Sequence, residues 1–101
     1  MRKICLFCTA GMSTSLLVSK MKKYADSINY ECDIEAYPIS EVKKYGANAD
    51  VVLIGPQVRY ELNNVKSQLG EGKIVEAIDM RLYGMMNGTE VIKRCKELLG
   101  D

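Results

Sequence analysis

The sequence contains no histidine, and that absence removes two kinds of chemistry at once. Neither a Cys–His catalytic dyad nor a histidine-based metal site can be built from this chain alone. Any phosphohistidine in its chemistry must therefore belong to a partner. Long apolar runs are missing as well. Nothing approaches the roughly 20 residues that span a bilayer, and Arg2 and Lys3 precede too few apolar residues to resemble a secretory signal. No direct membrane insertion is expected, and the cytoplasm is the expected location. Charge excess is also lacking: 14 Lys and Arg against 13 Asp and Glu leave a net charge of +1, unlike the basic surplus of a dedicated nucleic-acid binder. No linker, low-complexity tract or internal repeat divides the 101 residues. With 48% hydrophobic and 27% charged residues, the composition is that of one soluble globular domain spanning residues 1–101.

Four cysteines are present, Cys5, Cys8, Cys32 and Cys95. In a reducing compartment they do not form a disulfide framework. Cys5 and Cys8 make a C-x-x-C pair, but the redox motif places both thiols near the first turn of a helix. Here the pair falls within a strand, where residues three apart point to opposite faces. No second C-x-x-C joins Cys32 and Cys95, which argues against a four-cysteine zinc site. No metal and no cofactor are expected.

The informative stretch is Ile4 to Ser15. Ile4 to Phe7 is an unbroken apolar run, as in a strand buried on both faces. Cys8 ends it, Thr9 to Ser15 is small and hydroxyl-rich around Gly11, and from Leu16 the pattern turns helical. A helix N-terminus leaves amides unpaired and carries a partial positive charge, so it seats phosphate well. A thiol at its mouth has its thiolate stabilised. A lone cysteine at a strand end is more often small core packing; the loop and helix start that follow point instead to a nucleophile that takes up a phosphoryl group. Thr9, Ala10, Gly11, Met12, Ser13, Thr14 and Ser15 are the candidate phosphate-binding residues. Ser13, Thr14 and Ser15 can also act as N-cap residues, which is compatible with that role.

Along the rest of the chain, a first helix is expected from Ser13 or Thr14 to Ile28, burying Leu17, Met21, Tyr24 and Ile28. Tyr30 to Tyr37 alternates like an edge strand. Ser40 is placed as the N-cap of a short helix through Tyr45, closed by Gly46. Val51 to Ile54 is a second fully apolar, hence central, strand, and Gly55-Pro56-Gln57 punctuates the turn after it. Val58, Leu62, Val65 and Leu69 space a third helix, and Ile74 to Ile78 reads as the other edge strand. Met80 to Gly88 is expected to be a turn region. Asn87 or Thr89 caps a last helix that buries Val91 or Ile92, Cys95, and Leu98 or Leu99. Strands alternating with helices imply right-handed parallel βαβ units. The expected fold is thus α/β: an open parallel four-stranded sheet in the order 2-1-3-4, with helices on both faces. Ligands bind such sheets beyond the C-terminal strand ends at the switch point, which is where the Cys8 loop and Gly55-Pro56-Gln57 meet.

One alternative is a phosphatase of the low-molecular-weight type, which uses a cysteine nucleophile in the same strand–loop–helix arrangement. Its C-x5-R signature requires arginine at position 14, where this chain has Thr14. It also needs an acid for the leaving group, and Asp79 is the only candidate by position. Without the arginine the loop loses the bidentate charge that helps stabilise the transition state.

The run from Leu6 through Cys8-Thr9-Ala10-Gly11-Met12-Ser13-Thr14-Ser15 to Val18 resembles the phosphorylation loop of lactose/cellobiose-type IIB components of the bacterial sugar phosphotransferase system. The resemblance continues through Asn48-Ala49-Asp50-Val51-Val52-Leu53-Ile54-Gly55-Pro56-Gln57, Ile78-Asp79 and Leu82-Tyr83-Gly84, nearly the whole chain in order. Its size is most similar to the cellobiose or N,N′-diacetylchitobiose branch. The resemblance implies that Cys8 accepts phosphate from a phosphohistidine on a IIA partner and passes it to a β-disaccharide held by a membrane IIC partner. The docking rim is expected at Met12, Gln57, Arg59, Tyr60 and Tyr83, and the chain is expected to be a monomer.

Overall fold

The computed structural model describes residues 1–9 and 11–101, with the side chains of residues 11–13 excepted. The expected contributions of Ala10 and of the Met12 and Ser13 side chains lie outside the described residues.

The two apolar runs form the middle of the sheet. β1 is Arg2–Cys8 and β3 is Val51–Ile54; they pair in parallel, with Ile4 opposite Val51 and Phe7 opposite Ile54. Strand β2, Cys32–Pro38, lies outside β1, and β4, Ile74–Ala77, lies outside β3, giving the order β2-β1-β3-β4 expected from the pattern. All four residues of β3 are buried, whereas Ile34 alone is buried in β2. A central strand has helices over both faces, so every side chain finds apolar neighbours.

Alternation along β1 divides the core. Ile4 and Leu6 face α1 (Gly11–Ser27) and α5 (Gly88–Leu99), packing with Leu17, Met21, Ala25, Val91, Ile92 and Cys95. Cys5 and Phe7 face the opposite layer, where α2 (Val42–Gly46) contributes Val42 and α3 (Leu62–Leu69) contributes Val65. Phe7 is completely buried, and each side chain of that size withdrawn from water stabilises the fold by about 1.5–3 kcal/mol before entropy is counted.

Several boundaries differ from the sequence pattern. Helix α1 begins at Gly11, so Ser13, Thr14 and Ser15 lie inside it and are not its cap. It ends at Ser27, because Asn29 takes a left-handed conformation (φ 56°) and turns the chain. Ile28 consequently points outward, and Ala25 takes the buried place expected of it. Ser40 is not an N-cap: extended Pro38 leads directly into a 3-10 turn, Ile39–Glu41, before α2. Val58 lies in a kinked 3-10 stretch, Pro56–Glu61, so α3 starts at Leu62. The region after β4 holds a helix, α4 (Met80–Gly84), where a turn was expected. Its cap is Asp79, whose Oδ1 accepts from Arg81 N–H at 2.9 Å and Leu82 N–H at 3.2 Å. For α5, Asn87 is the cap, accepting from Glu90 N–H at 3.1 Å.

Candidate functional site

Cys8 is the last residue of β1, and only Thr9 and Ala10 separate it from the first residue of α1. The strand delivers the thiol to the C-terminal edge of the sheet, and the helix aims its N-terminal end at the same place. No acidic residue occupies the first turn of α1, so the positive end of the helix dipole is left available to an anion. Cys8 is only 4% exposed.

The wall facing it is built by the loop after β3. Gly55 N–H donates to Phe7 C=O at 2.8 Å, extending the β1–β3 ladder by one residue and bringing the two loops side by side. A Cβ on Gly55 would lie 3.0 Å from Cys8 Sγ and 3.1 Å from Gln57 Oε1. A side chain here would make both groups give by a few tenths of an ångström, a matter of space and not of backbone, since the φ of −63° is open to any residue. The Cys8 S–H donates toward Gln57 Oε1 at 3.8 Å, a length reasonable for sulfur. The sequence marks Gly55 only as turn punctuation; its close approach to sulfur depends on what stands across the ladder.

Thr14, expected to bind phosphate, is 2% exposed, and its hydroxyl shares a hydrogen bond with the Tyr83 hydroxyl at 3.2 Å. Its side chain therefore turns into the core and joins α1 to α4. An α-helix leaves about its first four amides unpaired; with α1 starting at Gly11, Thr14 and Ser15 stand at or beyond that limit. Thr9 and Ser15 are exposed. Among the expected rim residues, Gln57, Arg59 and Tyr60 are exposed, Tyr60 to 75%. Tyr83 is 5% exposed, because its ring packs with the α1/α5 core while its hydroxyl meets Thr14. Pro56, Gln57, Met80, Tyr83 and Gly84 line a groove of about 250 Å³, which shares Gln57 with the Cys8 contact. A larger concavity of about 630 Å³ lies between β4, α4 and α5, and its lining includes neither Cys8 nor Gln57.

The other thiols are placed differently. Burial pushes up Cys5, Cys32 and Cys95, the last to about 12, so at neutral pH they stay protonated and poorly nucleophilic. Asp79, the one candidate for a phosphatase acid, is occupied in capping α4. Among the described residues no group of histidine, cysteine, aspartate and glutamate side chains could hold a metal ion, and no helix is long and apolar enough to cross a membrane.

Against known proteins, residues 3–94 match the family described as the lactose/cellobiose-specific IIB subunit of the PTS system. The chain is 43% identical over 100 residues to the oligo-beta-mannoside-specific EIIB component of Bacillus subtilis (strain 168), covering 98% of this chain and 97% of the relative. It is 38% identical to the cellobiose-specific EIIB component of Lactococcus lactis subsp. lactis (strain IL1403), covering 95% and 94%. The solution structure of a cellobiose-specific phosphotransferase IIB component from Borrelia burgdorferi superposes with a TM-score of 0.80 at 36% identity, over 96% of this chain and 90% of that one. A lactose-specific IIB domain from Streptococcus pneumoniae has the same fold at 14% identity, with a TM-score of 0.79 over 95% of both chains.

Proposed function

The chain belongs to the lactose/cellobiose-specific IIB family of the sugar phosphotransferase system, and from that premise we propose that Cys8 is the residue that carries the phosphoryl group. The observation that carries the reading is the placement of this thiol at the end of β1, against the N-terminal end of α1 and over the space left by Gly55.

The thiol first loses its proton to solvent. The thiolate attacks the phosphorus of a phosphohistidine on a IIA partner; the S–P bond forms, the P–N bond breaks, and its electron pair returns to the imidazole. The amides of the loop and first helical turn, in the region from Thr9 to Ser15, hold the phosphoryl oxygens in line. A sugar hydroxyl at the IIC partner then attacks the phosphorus, the S–P bond breaks, and the thiolate is regenerated. The hydroxyl proton goes to a base outside this chain. The sugar is a β-disaccharide of the cellobiose or chitobiose type, in keeping with the cellobiose and oligo-beta-mannoside specificities of two relatives. The partners dock over the exposed rim at Gln57, Arg59 and Tyr60 and over the neighbouring groove.

A phosphatase reading of Cys8 is less well supported. Position 14 is a buried threonine tied to Tyr83, and Asp79 holds α4. The test is phosphorylation by a IIA donor, followed by mapping of the label. Wild type should be labelled on Cys8, and Cys8→Ser should fold but accept nothing. Isolated phosphoprotein should keep its label until IIC and sugar are added. A label on another residue would overturn the assignment, and fast spontaneous release of inorganic phosphate would favour the phosphatase.

A further inference from the structure

The Gln57 carboxamide lies in hydrogen-bond contact with the Cys8 sulfur, at 3.8 Å, and its place there is built rather than incidental. Its backbone is fixed on both sides. Gly55 N–H is bonded to Phe7 C=O at 2.8 Å, Val58 N–H is bonded to Gly55 C=O at 3.0 Å, and both Pro56 and Val58 are buried. A Cβ at Gly55 would strike the sulfur and Gln57 Oε1 at nearly equal distances, 3.0 and 3.1 Å. Thiol and carboxamide thus converge on one small space beside Gly55, which a side chain there would crowd, while the Gln57 residue as a whole is exposed to whatever approaches.

We propose that Gln57 is a catalytic residue of the transfer, orienting the Cys8 thiol through its carbonyl and supporting the thiolate and the phosphoryl group through its amide. This rests on the reading of Cys8 as the carrier. A carboxamide has an acceptor and a donor end of nearly the same size. In the resting protein the S–H donates to Oε1. Once the proton has left, sulfur is an acceptor, and rotation about the last side-chain torsion presents Nε2–H to it, or to an oxygen of the incoming phosphoryl group. No bond is made or broken at Gln57; S–P formation and P–N cleavage proceed as written above. A glutamate of the same shape would fail, because an ionised carboxylate only accepts and would repel both thiolate and phosphate. The assignment goes beyond a docking role on the rim, and the two differ in what happens without a partner.

The test compares wild type with Gln57→Leu and Gln57→Glu, both changes at an exposed side chain whose folding is checked by urea denaturation. Two rates are read: alkylation of Cys8 by iodoacetamide at neutral pH with no partner present, and phosphate acceptance from a IIA donor. Both should fall in the order wild type, leucine, glutamate, with the glutamate variant slower than wild type by about tenfold or more through the added like charge. A loss of acceptance with equal alkylation rates in all three would assign Gln57 to docking only and overturn the inference. Faster alkylation in the glutamate variant would overturn it too. Neither result alters the Cys8→Ser outcome, so failure here is distinguishable from failure of the carrier reading.

Discussion

Gly88 and Gly55 each leave a space that a side chain would fill, but against different walls. At Gly88, the first residue of α5, a Cβ would lie 2.5 Å from the Lys20 carbonyl carbon and 2.5 Å from the Met21 amide nitrogen. Those are backbone atoms in the middle of α1, and they can move only if the helix moves. At Gly55 the nearest atoms are the Cys8 sulfur and the end of the Gln57 side chain, which can shift by a few tenths of an ångström. The first glycine lets two helices touch; the second lets two functional groups meet. Identical chemistry in the sequence thus serves packing in one region and, on the proposed role of Cys8, reactivity in the other.

The largest effect should come from breaking the first. Gly88→Ala must push α5 away from α1 and open the layer containing Leu17, Met21, Val91 and Ile92. Overpacking of this kind costs about 1–3 kcal/mol, and a rigid backbone wall places it at the upper end. Urea denaturation should show that loss, while phosphate acceptance per folded molecule stays near wild type. If acceptance fell as far as stability, the division between the two glycines would be wrong.

Gly55→Ala should give the reverse. Stability should change by less than about 1 kcal/mol, since the contacts are tight but yielding. Acceptance should fall by about tenfold, because misplacement of a reacting atom by a fraction of an ångström is costly in rate. Denaturation and label uptake on the same sample settle it.

A third change probes the link between the regions. Tyr83→Phe leaves the buried Thr14 hydroxyl without its partner, at a cost of about 1 kcal/mol. Thr14→Val together with Tyr83→Phe should cost less than the sum of the two single changes, because the pair is removed as a unit. A strictly additive pair would mean that the hydrogen bond contributes nothing to anchoring α1.

The sheet was readable from the chain because β1 and β3 are uninterrupted apolar runs and β2 and β4 are not. That contrast alone puts the first two in the centre, and with right-handed crossovers it leaves the order 2-1-3-4. The family was readable for a similar reason: the motif around Cys8 and the Gly55-Pro56-Gln57 turn are contiguous in sequence. Less was readable where structure is short or nonlocal. Helix α4 has five residues, too few for periodicity to register, so the sequence offers Asp79 as a candidate acid without showing that it caps a helix. The kink at Val58 lies inside a run whose apolar spacing is faultlessly helical. Thr14 meets Tyr83 across 69 positions, and nothing local in either residue announces the other. Gly55 meets Cys8 only once the register of Phe7 against Ile54 is known.

The smallest effect is expected far from either glycine and serves as their control. Asp101 accepts from Arg2 through Nε at 3.0 Å and Nη2 at 2.9 Å, and from the Tyr30 hydroxyl at 2.5 Å. Hydrogen bonding to Arg2, then to Tyr30, lowers its carboxyl from an ordinary 3.8 to about 2. A depressed folded-state value means that the unfolded chain binds the proton first as pH falls. The stabilisation is therefore complete above the ordinary value and is lost as pH drops from about 4 through about 2. Water reaches the cluster, with the Arg2 and Asp101 side chains 40% and 25% exposed, so screening keeps the contribution small. Thermal denaturation of wild type and Asp101→Asn between pH 6 and pH 2, a range chosen to bracket both values, should show a small constant gap in Tm near neutrality that closes at the acid end. Phosphate acceptance at neutral pH should be the same in both. A gap that widened in acid would have the wrong sign for a lowered carboxyl. A loss of acceptance would mean that the contact between Arg2 and Asp101 reaches the Cys8 end of β1, and that the separation of stability from reactivity drawn from the two glycines does not extend along the strand.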